Sequence, residues 1–409
     1  MPAHQMMADI WRSGISMAGS HADWKDRLSK SIREHSWSDE LQGIAINIAD
    51  GTSLTMEEGI HLFEHHDIDE LFKLANLVKE SRFDNQAFFN VNVHINQTNI
   101  CTLACKFCAF RRGRRADDAY AMSIEEYLED LRKYSSRVDE VHSVGGLHPD
   151  WDVDHYCEMF TKVSAEFPHI HIKALTAVEI KHIAQLSDIS IDECLRKLKN
   201  SGLGSLPGGG AEILDDDIRE IICRGKESSQ EYLEIHGSAH RIGMPTNCTM
   251  LFGTVETIGH RLKHLIRLRE QQEATGGFQC FVPYPFLPDD SRLPEAQLSS
   301  GVEILRMIAI SRLFLDNIPH IKAYRMNIGE SLAELALQCG ADDVDGTVEK
   351  ESIMHLAGSR ADLEHDKIAL SKLIIDSGCR PIMRNTTYTK FEEIKSAPIQ
   401  QKRSLTMAQ

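Results

Sequence analysis

Cys101-Thr-Leu-Ala-Cys105-Lys-Phe107-Cys108 puts three cysteines on one short loop, directly after the alternating segment Val91-Asn-Val-His-Ile-Asn96. Thiolates hold iron–sulfur clusters, normally four to a cluster. Three hold three corners of a cubane and leave the fourth iron open to a small molecule. An open site on a one-electron carrier is a reaction centre, whereas four closed ligands suit a structural or electron-transfer role. Zinc is the competing occupant, and it wants four ligands, usually as two close pairs. Here the fourth would have to come from a distant residue such as His94 or His148, and the chain has no second cysteine pair.

Other stretches carry polar groups at places where a chain meets a ligand. Val144-Gly145-Gly146-Leu-His148-Pro149 ends an apolar run, and adjacent glycines let a backbone approach a ligand closely. Thr176 and Glu179 stand at the exit of His171–Thr176. Glu179 could accept hydrogen bonds from a cofactor, or it could sit in the first turn of a helix, where an acid favours the dipole. Gly202-Leu-Gly-Ser205-Leu-Pro-Gly-Gly-Gly-Ala-Glu212 can be neither helix nor ordinary strand, so its main chain must lie against something. His236 and His240 are one helical turn apart, followed by Arg241 and a C-cap-like Gly243. No Glu follows His236, which excludes a zincin-type protease helix. Asn247 and Thr249 share one face of the next strand, and Thr275–Phe286 is apolar and aromatic.

These groups need a frame. Eight strand candidates, 91–96, 139–145, 170–176, 202–206, 246–252, 278–284, 321–327 and 341–345, alternate with helical patterns. That alternation predicts an α/β chain with a parallel sheet, closed as a (β/α)8 barrel of the TIM type. A six-unit partial barrel is the alternative. Chemistry in a barrel sits at the carboxyl ends of the strands, where the cysteine loop lies. Asn92, His94 and Asn96 share the strand face expected to point inward. Residues 1–54 read as an N-terminal extension with a helical stretch near Trp24–Glu34, residues 55–390 as the barrel, and 391–409 as a loose tail. The chain has 409 residues and a net charge of −16, so it has ample core and argues against a nucleic-acid partner. Arg111-Arg-Gly-Arg-Arg115 is a local exception, read as a solvated loop that could also attract a carboxylate substrate. The ten cysteines form no secreted-type framework, and no stretch approaches a membrane span. The expected setting is a reducing cytoplasm.

The cysteine spacing, with the aromatic Phe107 before the last cysteine, resembles the radical S-adenosylmethionine superfamily. Further stretches resemble the aminofutalosine synthase family, radical enzymes of the futalosine route to menaquinone. They are His94–Cys101, Gly145-Gly-Leu-His-Pro-Asp-Trp151, Lys173-Ala-Leu-Thr-Ala-Val-Glu179, Ser205–Glu212, Thr249–Gly253 and His320-Ile-Lys-Ala-Tyr324. The likeness runs from about 55 to 390. Many motifs are shared with the cyclase acting on dehypoxanthine futalosine. Arg325 stands where the family usually has an aromatic. The resemblance implies a [4Fe-4S] cluster on Cys101, Cys105 and Cys108. It implies S-adenosylmethionine held by Phe107, Gly145, Gly146, Thr176, Glu179 and Ser205. It implies an aromatic dicarboxylate substrate met by His240, Arg241, Asn247 and Arg325, and an electron donor such as flavodoxin or ferredoxin.

Overall fold

The structure, a computed structural model, describes residues 19–363 and 365–395. Its strands are β1 (Gln86–Phe89), β2 (Asn92–His94), β3 (Glu140–Ser143), β4 (His171–Ala174), β5 (Leu203–Ser205), β6 (Thr246–Phe252), β7 (Phe278–Pro285), β8 (His320–Ala323), β9 (Asp343–Val344), β10 (Arg380–Arg384) and β11 (Phe391–Glu393). Strands β2 to β9 are parallel and pair in chain order as two runs, β2-β3-β4-β5 and β6-β7-β8-β9.

Two seams join the runs into a closed barrel. At the first, Leu206 bridges Thr246 and the Asn247 amide donates to the Leu206 carbonyl at 3.0 Å. At the second, the Thr347 amide donates to Asn90 O at 3.2 Å and the His94 amide to Val348 O at 3.1 Å. The Thr347 hydroxyl clips the same seam, accepting from Asn92 N at 2.9 Å and donating to Asn92 O at 2.8 Å. Eight strands are about the number whose interior side chains can fill or whose mouth can hold one small ligand.

Helices cover the outside, and many begin with a reciprocal cap. Thr55/Glu58, Ser123/Glu126, Thr176/Glu179 and Ser228/Glu231 each form a capping box, which satisfies the orphan amides of a first helical turn. Two further helices, Met56–Glu64 and Ile68–Phe83, precede the first strand. The extension holds a second helix, Asp39–Ala49, besides the expected one at Trp24–Arg33. Among the described residues no helix is long and apolar enough to cross a membrane.

Three strands lie outside the predicted set. β1 precedes β2 with only Asn90 and Val91 between, and it pairs β10 and β9 at the base of the barrel. β11 returns antiparallel on β10, so ordered pairing extends through Glu393. Buried charges lock this base. Arg384 holds the Asp343 carboxylate with two bonds, 2.7 and 3.0 Å, and the Tyr388 hydroxyl donates to it at 2.8 Å. Asp342 beside it takes Arg312 and His320.

Candidate active site

Strand β2 ends at a cavity of about 320 Å³ inside the barrel mouth. Asn92, His94 and Asn96 line it, as the strand's alternation requires, while Val93 and Ile95 join the apolar core. The cysteine loop closes one side: Phe107 and Cys108 line the cavity, and all three cysteines are free thiols.

The loop is fastened at many points. The Cys101 amide donates to Arg112 O at 3.0 Å, that of Thr102 to Leu147 O at 3.1 Å and that of Lys106 to Ile222 O at 2.8 Å. Arginines cap its carbonyls. Arg292 donates to Ala104 O at 2.8 Å and Cys105 O at 3.1 Å, Arg111 to Leu103 O at 2.9 Å, and Arg112 to Ala109 O at 2.8 Å. Arg111 and Arg112 are therefore staples of the loop and not a substrate lure in solvent; Arg114 pairs with Asp150.

The donor set fits a cluster. Burial pushes the Cys105 thiol up to about 12, opposed by the nearby Lys226 charge, and raises Cys108 as well. Such thiols become ligands when a metal's own charge removes their protons. Among the described residues no three His, Cys, Asp or Glu side chains converge on one ion. A cubane asks for no such convergence, because each thiolate binds a different iron.

The two glycines after β3 serve that loop. A Cβ on Gly146 would lie 2.3 Å from Ile100 O and 3.0 Å from Cys101 Cβ, and one on Gly145 2.9 Å from Thr98 O. The Gly146 amide donates to Thr98 O at 2.8 Å. Their bare backbone thus lets β3's exit clamp the root of the cysteine loop, and Gly145 also lines the cavity.

Glu179 takes the helix-start role. Its carboxylate accepts from Thr176 N at 2.7 Å and Thr176 Oγ1 at 2.7 Å, from Gly145 N at 3.0 Å and from Gln97 Nε2 at 3.3 Å. With four internal donors it ties three loops together and has no oxygen left for a cofactor. Thr176 itself lines the cavity. The glycine stretch lies against β6: a Cβ on Gly208, at φ +90°, would meet Asn247 O at 2.3 Å. Gly209 and Gly210 face the cavity.

Four expected residues lie elsewhere. Ser205 is buried against His171, 2.9 Å from Nε2, and does not line the cavity. His240 is buried between its helix and the start of β6, bonded to Thr246 Oγ1 at 2.9 Å and Thr275 Oγ1 at 2.7 Å, so it cannot meet substrate. Arg241 is on the surface, bonded to Ser238 Oγ at 2.6 Å. Arg325 is fully buried; its backbone amide donates to Asp345 at 2.8 Å and its guanidinium to Asp362 O at 2.8 Å. His148 likewise stacks on Trp151 at 4.4 Å instead of facing the cavity. Asn247 does line it, and its Oδ1 is buried without a hydrogen-bond partner.

The cavity also holds charges that the sequence did not flag. Glu140 and His142 project from β3, Lys173 from β4, Lys322 from β8, and Lys226 and Glu212 close the side near the cysteines. Lys226 pairs with Glu212 and stands 5.7 Å from the Phe107 ring. Lys322 pairs with Asp343 at 2.7 Å. His94 and His142 stack at 4.3 Å, and burial depresses both, His94 to about 4, so both rings are neutral. Tyr284, Phe286 and Tyr324 supply an aromatic wall. A signal for two of these cations was present. β4 and β8 share the tetrapeptide His-Ile-Lys-Ala, with the lysine on the same strand face.

Residues 95–268 match the radical SAM superfamily and residues 275–397 the CofH/MqnC C-terminal region. The aminodeoxyfutalosine synthase of Thermus thermophilus is 38% identical over 350 residues, covering 84% of this chain and 94% of that protein. The 5-amino-6-(D-ribitylamino)uracil–L-tyrosine 4-hydroxyphenyl transferase 1 of Methanosarcina barkeri is also 38% identical, covering 84% and 92%. Among solved structures, methylornithine synthase superposes with a TM-score of 0.66 at 19% identity, covering 87% of this chain and 97% of that one.

Proposed function

The chain belongs to the radical S-adenosylmethionine superfamily, in the branch with the CofH/MqnC C-terminal region, and on that premise we propose that it carries out the aminodeoxyfutalosine synthase reaction. Cys101, Cys105 and Cys108 would hold a [4Fe-4S] cluster, which would supply one electron to S-adenosylmethionine, with methionine and a 5′-deoxyadenosyl radical as the products. The radical adds to the vinyl carbon of 3-[(1-carboxyvinyl)oxy]benzoate. Rearrangement of the adduct radical, loss of one carboxyl with water as bicarbonate and a proton, and return of one electron to the oxidised cluster would give 6-amino-6-deoxyfutalosine, so the reaction is redox-neutral overall.

The cofactor and co-substrate carry the hard chemistry, so the chain must orient the reactants and exclude water and stray hydrogen donors. Phe107, Thr176 and Gly145 border the space beside the cysteines, Gly146 packs against Cys101, and these four are assigned to S-adenosylmethionine. Tyr284, Phe286 and Tyr324 wall the cavity against solvent. The observation that carries the reading is the cavity's polar set. Buried lysines, Asn247 and neutral imidazoles open onto the same space as the cysteine loop, which suits a dianionic aromatic. A cytoplasmic setting and a flavodoxin- or ferredoxin-like donor complete the proposal.

The test is anaerobic reconstitution with iron and sulfide, reduction, and incubation with S-adenosylmethionine and the enol-ether benzoate, read by mass spectrometry. An adduct of adenosyl plus substrate minus one carboxyl supports the synthase. Free 5′-deoxyadenosine alone moves the substrate toward that of the dehypoxanthine futalosine cyclase. No cleavage by a loaded cluster sinks the proposal.

A further inference from the structure

The matching tetrapeptides of β4 and β8 occupy the third and seventh strands of the barrel, four apart in a ring of eight, so Lys173 and Lys322 enter the cavity from opposite walls. Their circumstances differ. Lys322 pairs with Asp343 at 2.7 Å, a carboxylate it shares with Arg384, and donates to Val344 O at 3.3 Å. Lys226 is neutralised by Glu212. Lys173 is 6% exposed, and among the described residues no hydrogen bond or ion pair engages its ammonium. Glu140, the acid whose charge acts on it, lies beyond ion-pair reach and accepts from Asn92 Nδ2 at 3.2 Å. A buried cation without a close counter-ion is costly and is normally paired. The open space beside this one is the cavity.

The neighbourhood narrows the anion. Strand register aligns Lys173 with His142, and His142 with His94. The two stacked neutral rings therefore lie in a row on one side of Lys173, His142 next to it and His94 beyond. They offer N–H donors for a second oxygen and flat faces for an aromatic ring. The site thus fits a carboxylate borne directly on an aromatic ring. Lys173 also lies deeper along its strand than Thr176, which borders the mouth. A substrate anchored here by its ring carboxylate points its other end toward the cysteine loop.

We propose that Lys173 binds the ring carboxylate of the enol-ether benzoate and so aims the vinyl carbon at the cluster side of the cavity. This rests on the reaction given under Proposed function. It makes Lys173 a specificity residue, with Lys322 held in its ion pair.

The experiment compares the intact substrate with 2-phenoxyacrylate, which lacks the ring carboxylate, as ligands of the cluster-loaded, unreduced protein with S-adenosylmethionine bound, by anaerobic equilibrium dialysis. Truncating one partner of a buried charge pair weakens binding on the order of 10²-fold, so the wild type should prefer the intact substrate by about that ratio. Lys173→Met should bind the intact substrate about as weakly as the wild type binds phenoxyacrylate, bringing the ratio near one. Lys173→Arg should keep most of the preference. In turnover, Lys173→Met should raise KM and release more free 5′-deoxyadenosine per adduct, with unchanged cluster absorbance. A Lys173→Met protein that keeps the full preference, or weakens both ligands alike, overturns the assignment, as does a wild type without preference, a result that needs no variant to fold. Adduct formation by the wild type alongside any of these leaves the reaction standing. No adduct from a loaded cluster removes the reaction and the anchor with it.

Discussion

At the scale of single residues, the cysteine loop depends on atoms that are missing as much as on those present. Gly146 has no room for a methyl group, because a Cβ would stand 2.3 Å from the Ile100 carbonyl oxygen and 2.7 Å from its carbon. Both are main-chain atoms at the root of the cysteine loop, so neither can swing aside. Gly146→Ala should fold and yet bind less than half the wild-type iron and sulfide after reconstitution, measured per chain. Gly43 is the control, since it lies in the helix Asp39–Ala49 and a methyl group added there would meet nothing within 4 Å. Gly43→Ala should retain full iron and gain about 0.5–1 kcal/mol, the usual helix preference for alanine. Equal iron in both variants would refute the clamp.

What the sequence disclosed at this scale follows a physical division. The placement of Cys108 and Asn247 at the cavity was legible because a thiol triplet and a polar strand face are local patterns. His240 and Arg325 misled because their chemistry is real and their placement is not local. Each is a polar side chain whose partners, Thr246 and Thr275 for one and the Asp345 carboxylate at 3.7 Å and the Asp362 carbonyl for the other, come from separate elements. Lys173 was passed over for the converse reason. A lysine in a short strand looks like a solvated edge until a closed barrel removes the solvent.

At the scale of elements, the cysteine loop is held from outside the first βα unit. Arg292 belongs to the connection after β7, and it reaches two carbonyls of the cysteine loop while its own amide donates to Lys106 O at 2.7 Å. Arg292→Ala should leave the fold intact and loosen that strap. Chelator bleaching of the reconstituted cluster should speed up several-fold, followed by visible absorbance. An unchanged bleaching rate would place the loop's rigidity in Arg111 and Arg112 alone. The base of the barrel has a comparable dependence on β10. Arg384→Met would leave Asp343 buried with fewer partners, a loss of about 3–5 kcal/mol for a broken buried pair, readable as a lowered urea midpoint. Adding Asp343→Asn should recover part of that loss.

The elements themselves were read unevenly. The alternation of strands and helices revealed eight barrel strands, since each is a short apolar run between longer periodic stretches. β1, β10 and β11 escaped because they gain stability from pairing at the base and not from their own periodicity. β11 is exposed along its length. The helix Asp39–Ala49 was hidden by Ile44, Ile46 and Ile48, whose spacing of two imitates a strand. Its Ser38 cap, accepting from the Leu41 amide, decides for helix.

At the scale of the whole molecule, an acidic chain has filled its interior with histidines that burial keeps uncharged. His94 is depressed to about 4, His236 and His264 to about 3, and His142 and His240 lie well below their ordinary range. In each case the unfolded chain binds the proton more readily than the folded one. Stability is therefore fully present above pH 6.5 and drains as pH falls from there toward the folded values. Each unit of depression is about 1.4 kcal/mol. Between pH 7.5 and 5 the protein should lose several kcal/mol of unfolding free energy, measured by urea titration at each pH. A flat profile over that range would contradict neutral burial of these rings.

The second seam has a bearing on how such a chain comes into being. Asn92 and Thr347 meet across 255 positions of sequence. Loops of that length close late, because the entropy of joining their ends is lost before the contact returns anything. On a ribosome, β2 emerges long before its partner and waits with one flank unpaired through most of synthesis. Such an edge is a template for pairing with another chain. The amide and imidazole side chains of Asn90, Asn92 and His94 along that edge line the cavity, and they would also make the edge unattractive to apolar strands. The polarity proposed to receive an anionic guest in the finished barrel would thus also guard the unfinished one against aggregation.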